Sequence, residues 1–168
     1  MMYKQDGRRG EARQEGGGQE NSAIEDIKEE ITQMSNLSEL DIEDIAKEGG
    51  YADRIGEAFK NRKDKDKIKT TQLRKFFDET KTIERKLKRG DKGWNDIKTD
   101  FYLLRPKLAY SNARGLIPKD FFLLLSECMK RVDTGKNNDK QKEENYKRFV
   151  TFLEAIVAYF KYYNPKSN

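Results

Sequence analysis

The stretch Phe149–Tyr163, FVTFLEAIVAYFKYY, is the most apolar run in a chain of which only 35% of the residues are hydrophobic. Its large apolar residues recur at helical spacing, at i, i+4, i+7, i+11 and i+14. Further apolar residues widen this stripe onto a second face. A helix that is apolar on more than one face is usually buried by several neighbours. The stretch therefore predicts the central helix of a small bundle.

Glu154 interrupts the apolar run, and with Lys161 it makes the run unsuitable for crossing a bilayer. A carboxylate is rarely buried without a partner. We therefore expect a structural ion pair between Glu154 and an arginine of another helix, for which Arg74 is a candidate. The alternative is a catalytic carboxylate.

The length of 168 residues predicts one domain with one core of modest size. Charged residues make up 39% of the chain, and no signal peptide or membrane span is visible. The single cysteine, Cys128, excludes an internal disulfide and provides no metal framework. We expect a buried thiol in a cytoplasmic protein that does not contact a membrane.

The chain contains no histidine. This absence removes Ser-His and Cys-His nucleophilic schemes, histidine metal sites and histidine acid–base ribonucleases. An enzyme would need a mechanism based on carboxylates or lysines, and no motif supports one. The sequence therefore predicts binding without catalytic residues, metal or cofactor.

Charge is distributed unevenly along the chain. Between Glu20 and Gly50 there are 10 acidic and 2 basic residues, whereas between Lys60 and Arg131 there are 21 basic and 10 acidic residues. Such asymmetry indicates an acidic contact surface and a basic surface that binds a polyanion. The alternative is that both regions are merely solvated.

The periodicity predicts an all-α fold, a compact bundle of about five helices with extra short helices at the N-terminus. We predict a flexible Gly-rich tail at 1–21, an acidic appendage of short helices at 22–60 and a helical-bundle core domain at 61–168. Ser22 is the predicted N-cap of the first short helix, with Glu25 completing a capping box. The acidic helices are expected at the periphery.

A well-marked helix is predicted over Thr70–Arg89, with Thr70 or Thr71 as its cap. At 100° per residue, four cations fall on one flank, a cationic stripe about 20 Å long: Arg74, Lys81, Arg85 and Lys88. A stripe of that length can follow several phosphates, although it is also typical of a solvated flank.

The next helix begins near Trp94 and contains Pro106, where we expect a kink or a restart, and Gly115 is expected to end it. Leu103 and Tyr110 lie near the face opposite its inward stripe. They predict a second neighbour or an exposed apolar spot.

Three blocks of sequence carry a resemblance to a known family. They are TTQLRK at 70–75, LRPKLAY at 104–110 leading to Arg114-Gly115, and FLEAIVAY at 152–159 followed by Lys161-Tyr162-Tyr163. In order and spacing they resemble the small helical subunit of type III-A CRISPR effector (Csm) complexes, from about Ile68 to Tyr163.

The resemblance implies a five-helix bundle without a catalytic centre, of which several copies stack head to tail as an inner filament. The implied partners are the target RNA, the CRISPR guide RNA, the backbone and large subunits, and other copies of the chain. Cleavage of the target would belong to the backbone subunit, and DNase and cyclic oligoadenylate synthesis to the large subunit. Base pairing with the guide would read the sequence.

From the cation pattern and the resemblance together we predict a set of RNA-binding residues that contact phosphates without reading sequence: Lys69, Arg74, Lys75, Lys81, Arg85, Arg105, Lys107 and Arg114. The family motifs cover Arg74, Lys75 and Arg114 best. Tyr110 is a candidate for stacking on a base. The alternative function is an all-helical adaptor or scaffold that binds only proteins.

Overall fold

The computed structural model describes residues 18–166, and side chains from residue 23 onward. It has seven α-helices in this part of the chain: α1 Gly18–Thr32, α2 Ile42–Ala46, α3 Tyr51–Lys60, α4 Thr70–Lys88, α5 Trp94–Ala113, α6 Lys119–Lys130 and α7 Asp139–Tyr163. Short 3-10 turns lie at Leu37–Glu39 and Asp64–Asp66. No strand occurs between residues 18 and 166, and the predicted all-α fold is confirmed.

Helix α7 is the centre of the bundle, as the apolar run predicted. It packs against α2, α3, α4 and α5. Large side chains on more than one of its faces are almost completely buried: Phe149, Phe152, Leu153, Ile156 and Phe160. Because burying each such side chain stabilises a fold by about 1.5–3 kcal/mol, this helix contributes a large part of the core energy.

The expectation for Glu154 is wrong. Its side chain is exposed, on the same solvent-facing side of α7 as Ala158, and no ion pair to it is present among the described residues. Arg74 is also exposed, on α4. The reason is geometric: α7 leaves one narrow face open to water, and position 154 falls on that face.

The acidic helices are part of the core and not peripheral to it. Ile24, Ile27 and Ile31 of α1 are fully buried in the same hydrophobic cluster as the residues of α7, and α1 packs against α3 and α6.

Residues 18–21 of the predicted tail form the start of α1, and residues 1–17 lie outside the described part. Ser22 lies within α1, so it is not the N-cap. The domain boundaries at residues 22 and 61 stay a prediction.

A buried amide joins the acidic segment to α7. Asn145 is fully buried, its Oδ1 accepts from the backbone N–H of Ser38 at 3.1 Å, and its Nδ2 donates to the Val132 carbonyl at 3.1 Å and to Asn36 Oδ1 at 3.0 Å. Arg148 donates to the Ser38 carbonyl at 2.9 Å. These bonds satisfy backbone groups that would otherwise be costly to bury.

Helices α4 and α5 pack side by side with opposite directions. Two ion pairs span them in antiparallel register, Lys86–Asp100 at 2.6 Å and Lys107–Glu79 at 3.1 Å. Helix α5 continues through the exposed Pro106, so of the two expectations at this position, a kink or a restart, the restart does not occur. Gly115, at φ +73°, follows its last turn as expected, because glycine adopts this conformation without a steric penalty.

Within residues 18–166, none of the helices combines the length and the apolar character that a membrane span requires.

Candidate nucleic-acid interface

A surface groove lies between the N-terminal half of α4 and the C-terminal half of α5. We call it the α4–α5 groove. It has a volume of about 390 Å³ and combines apolar walls with charged and polar side chains at its rim. The polar residues that line it, with one tyrosine, are Gln72, Lys75, Glu79, Lys107, Tyr110, Ser111 and Arg114.

Helical spacing explains why these side chains meet. On α4 the lining residues Gln72, Lys75 and Glu79 are spaced i, i+3 and i+7, which places them on one face. On α5 and its C-cap they lie at positions 107, 110, 111 and 114, again on one face. Since the two helices are antiparallel, the faces oppose each other along the groove.

Three cations line this groove against one carboxylate, Glu79. Lys107 pairs with Glu79, and its side chain remains 57% exposed. Lys75 and Arg114 are exposed, and neither makes an ion pair with any described residue. The groove therefore has an excess of positive charge that the protein itself does not neutralise.

The guanidinium of Arg114 lies beside the ring of Tyr110, with Cζ 5.6 Å from the ring centroid. The Tyr110 side chain is 63% exposed. A cation next to the face of an aromatic ring is attracted by the ring quadrupole. An aromatic surface and a fixed positive charge thus lie together at the end of α5.

Lys69 lies close to the same end of the groove. Its backbone N–H donates to the carbonyl of Leu116 at 3.0 Å, and Leu116 lines the groove. Lys69 is also the N-cap of α4, the position at which Thr70 or Thr71 was expected. Its side chain is exposed.

The cationic stripe of α4 is separate from the groove. Arg74 and Arg85 are exposed, whereas Lys81 is half-buried and pairs with Glu84 at 3.2 Å. Glu84 is buried and also pairs with Lys88 at 3.0 Å. One end of the stripe is therefore partly neutralised within α4 itself.

Arg105 lies on another side of α5. Its guanidinium is 5.8 Å from the ring centroid of Phe122 in α6, and it does not line the groove. The predicted set is therefore divided: Lys75, Lys107 and Arg114 meet in the groove, Lys69 lies at its end, and Arg74, Lys81, Arg85 and Arg105 lie elsewhere.

Sequence reasoning missed Gln72 and Ser111, two uncharged polar groups of the groove. A signal for both was available, because each lies at i−3 or i+4 from a predicted cation on its own helix.

The thiol of Cys128 is unreactive because of its position in the core. Cys128 is fully buried, and this burial raises the pKa of its thiol well above the usual range, so little nucleophilic thiolate forms. In the described part of the chain, no cluster of three or more cysteine, aspartate or glutamate side chains has the arrangement of a metal site.

Comparison with known proteins gives one family and one curated relative. The model of the family described as Csm2 Type III-A matches residues 39–166. The chain is 26% identical over 101 residues to the CRISPR system Cms protein Csm2 of Streptococcus thermophilus, which covers 59% of this chain and 75% of the relative. No solved structure matches the chain. Because the family model covers most of its length, the chain belongs to the Csm2 type III-A family and is a small subunit of a type III-A CRISPR effector complex.

Proposed function

We propose that this chain is a non-catalytic subunit that binds RNA backbones independently of sequence. In several stacked copies it would form the inner filament along the path of the guide RNA and the target RNA, in a ribonucleoprotein of antiviral defence. The observation that carries the proposal is the α4–α5 groove, where three cations face one carboxylate. Cationic side chains bind phosphates through charge, and contacts to phosphates carry no sequence information.

The absence of histidine supports a binding role, because it removes the commonest acid–base and nucleophilic schemes. The family supports partner subunits, since Csm2 belongs to a multi-subunit type III-A effector complex, and the RNA partners are those that the resemblance implies. We assign Lys75 and Arg114 as the principal phosphate contacts, with Lys69 at the groove end. Arg74 and Arg85 form a second, weaker surface.

The test is RNA binding by the full chain across a salt series, with single-stranded RNA of random sequence. The double variant Lys75→Ala/Arg114→Ala should bind more weakly. The slope of the logarithm of the binding constant against the logarithm of salt concentration should become shallower by about 1.4, since each phosphate contact on a single strand contributes about 0.7. The matched control is Lys136→Ala/Lys140→Ala, two exposed lysines near the opposite end of α5, where Asn95 contacts Asp139.

An equal loss in both double variants would contradict a localised binding surface. Stacking is tested separately, by native mass spectrometry of the co-expressed complex. Several copies of this chain per complex are expected. A single copy would contradict the filament.

A second candidate function, an adaptor that binds only proteins, has one observation in its favour. The neighbouring Leu103 and Tyr102 of α5 are about half exposed, at 51% and 52%, and adjoining exposed apolar side chains can belong to a protein-contact patch. If Lys75→Ala/Arg114→Ala leaves RNA binding unchanged and Leu103→Ser abolishes co-purification of the other subunits, the adaptor is the better description.

A further inference from the structure

Tyr110 differs from most other tyrosines of the described chain. Five tyrosine hydroxyls donate to acceptors within the protein: those of Tyr51, Tyr102, Tyr146, Tyr159 and Tyr163. Tyr110 has no such bond among residues 18–166, and its side chain is 63% exposed at the rim of the α4–α5 groove. Packing within the protein therefore does not account for this ring.

The groove beside Tyr110 suits a flat, partly apolar ligand. Its walls include Phe76, Pro106 and Ile117, and its volume of about 390 Å³ lies in the range of small-ligand sites. The cations Lys75 and Arg114 lie at the same rim. An apolar slot with an exposed aromatic ring and flanking positive charges matches a nucleotide, which has a flat base and charged phosphates.

We propose that the α4–α5 groove binds one unpaired nucleotide of an RNA strand, with its base stacked on Tyr110 and its neighbouring phosphates on Lys75 and Arg114. This inference rests on the proposed function and adds the kind of RNA recognised at the groove. A base in a duplex is already paired and stacked, so only an unpaired base offers a free face to Tyr110. Base stacking tolerates every sequence, in keeping with a subunit that does not read bases.

Glu79 defines the orientation of the nucleotide. Its carboxylate pairs with Lys107 at 3.1 Å and repels phosphate from the middle of the groove. The phosphates therefore lie toward Lys75 and Arg114, and the base occupies the apolar part beside Tyr110. Lys107 is a weaker phosphate contact than Lys75 or Arg114, because the charge of Lys107 is already paired with that of Glu79.

The experiment compares an RNA strand with an otherwise identical strand that carries abasic sites, both bound by the full chain. Tyr110→Ala should weaken binding of the ordinary strand by roughly 5- to 150-fold, the effect of losing one stacked base. It should leave binding of the abasic strand and the salt slope unchanged. Tyr110→Phe keeps the ring and should bind normally, and unchanged thermal melts confirm that the variants fold.

Each other outcome overturns the inference in a recognisable way. If Tyr110→Ala has no effect, or affects both strands equally, while Lys75→Ala/Arg114→Ala still lowers the salt slope, the groove contacts phosphates only and the proposed function survives. If the unaltered chain shows no salt-dependent RNA binding, the inference and the proposed function both fail. If Tyr110→Ala abolishes only the capture of protein subunits, the ring is a protein contact.

Discussion

Gly56 of α3 lies against the backbone of Tyr159 in α7, so closely that an ideal Cβ at position 56 would be 2.9 Å from the Tyr159 carbonyl carbon. Only a residue without a side chain allows this approach. The two helices share the most extensive contact in the described fold, and α7 is the central helix. Position 56 therefore controls how α3 packs on the bundle.

We predict that Gly56→Ala lowers the free energy of unfolding by about 1–3 kcal/mol, because the clash is with backbone and not with a movable side-chain end. This loss exceeds the gain of roughly 0.5–1 kcal/mol that alanine brings within a helix. Denaturant unfolding measures the change. The control is Glu57→Ala on the exposed face of the same helix, for which about 0.5 kcal/mol or less is expected. A Gly56→Ala chain as stable as the original would contradict the close packing.

Replacing Asn145 should lower the free energy of unfolding to a similar extent as replacing Gly56. Asn145→Ala leaves the Ser38 N–H and the Val132 carbonyl without their partner, and each unsatisfied buried group costs about 1–3 kcal/mol. We expect a loss of at least about 2 kcal/mol in denaturant unfolding, on the same principle. Glu144→Ala, at the exposed neighbouring position, should be nearly neutral. Comparable, small effects from both variants would mean that the acidic segment is not held to α7 by this amide.

Removing the negative charge of the groove should strengthen RNA binding. Glu79→Gln keeps the size of the side chain and releases Lys107 from its ion pair. An exposed ion pair is worth at most about 1 kcal/mol, so affinity at low salt should rise by about two- to fivefold. The control is Glu144→Gln, which breaks the similarly exposed pair with Lys147 on α7. A fall in affinity, or the same gain in both variants, would contradict phosphate binding at this groove.

The thiol of Cys128 provides a measure of core integrity. Burial and the raised pKa of the thiol should make maleimide labelling very slow in the folded chain and rapid in denaturant. Ser35→Cys adds a thiol at an exposed position and should allow one rapid labelling event under native conditions. Mass spectrometry counts the labelled thiols. Rapid native labelling of the unaltered chain would indicate that α6 opens readily.

Periodicity predicted the helices well wherever a long amphipathic pattern ran without interruption. Helices α4 and α7 agree with expectation because their apolar spacing leaves one arrangement that buries the stripe. In the segment predicted as an acidic appendage of short helices, periodicity was less informative, because Leu37–Glu39 is a 3-10 turn and α2 spans only Ile42–Ala46. The segment's hydrogen bonds to Asn145 and Arg148 of α7 supply partners that local sequence does not reveal.

The candidate site was only partly predictable. The sequence placed Lys75, Lys107 and Arg114 among eight candidates, but the motif match ranked Arg74 beside Lys75 and Arg114 and did not single out Lys107. Which cations meet depends on the antiparallel register of α4 and α5, and the Lys86–Asp100 and Lys107–Glu79 pairs define that register. Register is a property of two helices together, so the pattern of either helix alone does not contain it.

By itself, the sequence determined that the chain is helical, that Phe149–Tyr163 is its centre, and that histidine chemistry is excluded. These conclusions follow from residue type and from spacing along one helix. Only the tertiary structure decided that Ile24, Ile27 and Ile31 belong to the core, that Glu154 faces water, and that one cation-lined groove forms beside Tyr110. Each of these depends on which helix packs against which face, and burial and charge are set by neighbours that are distant in the sequence.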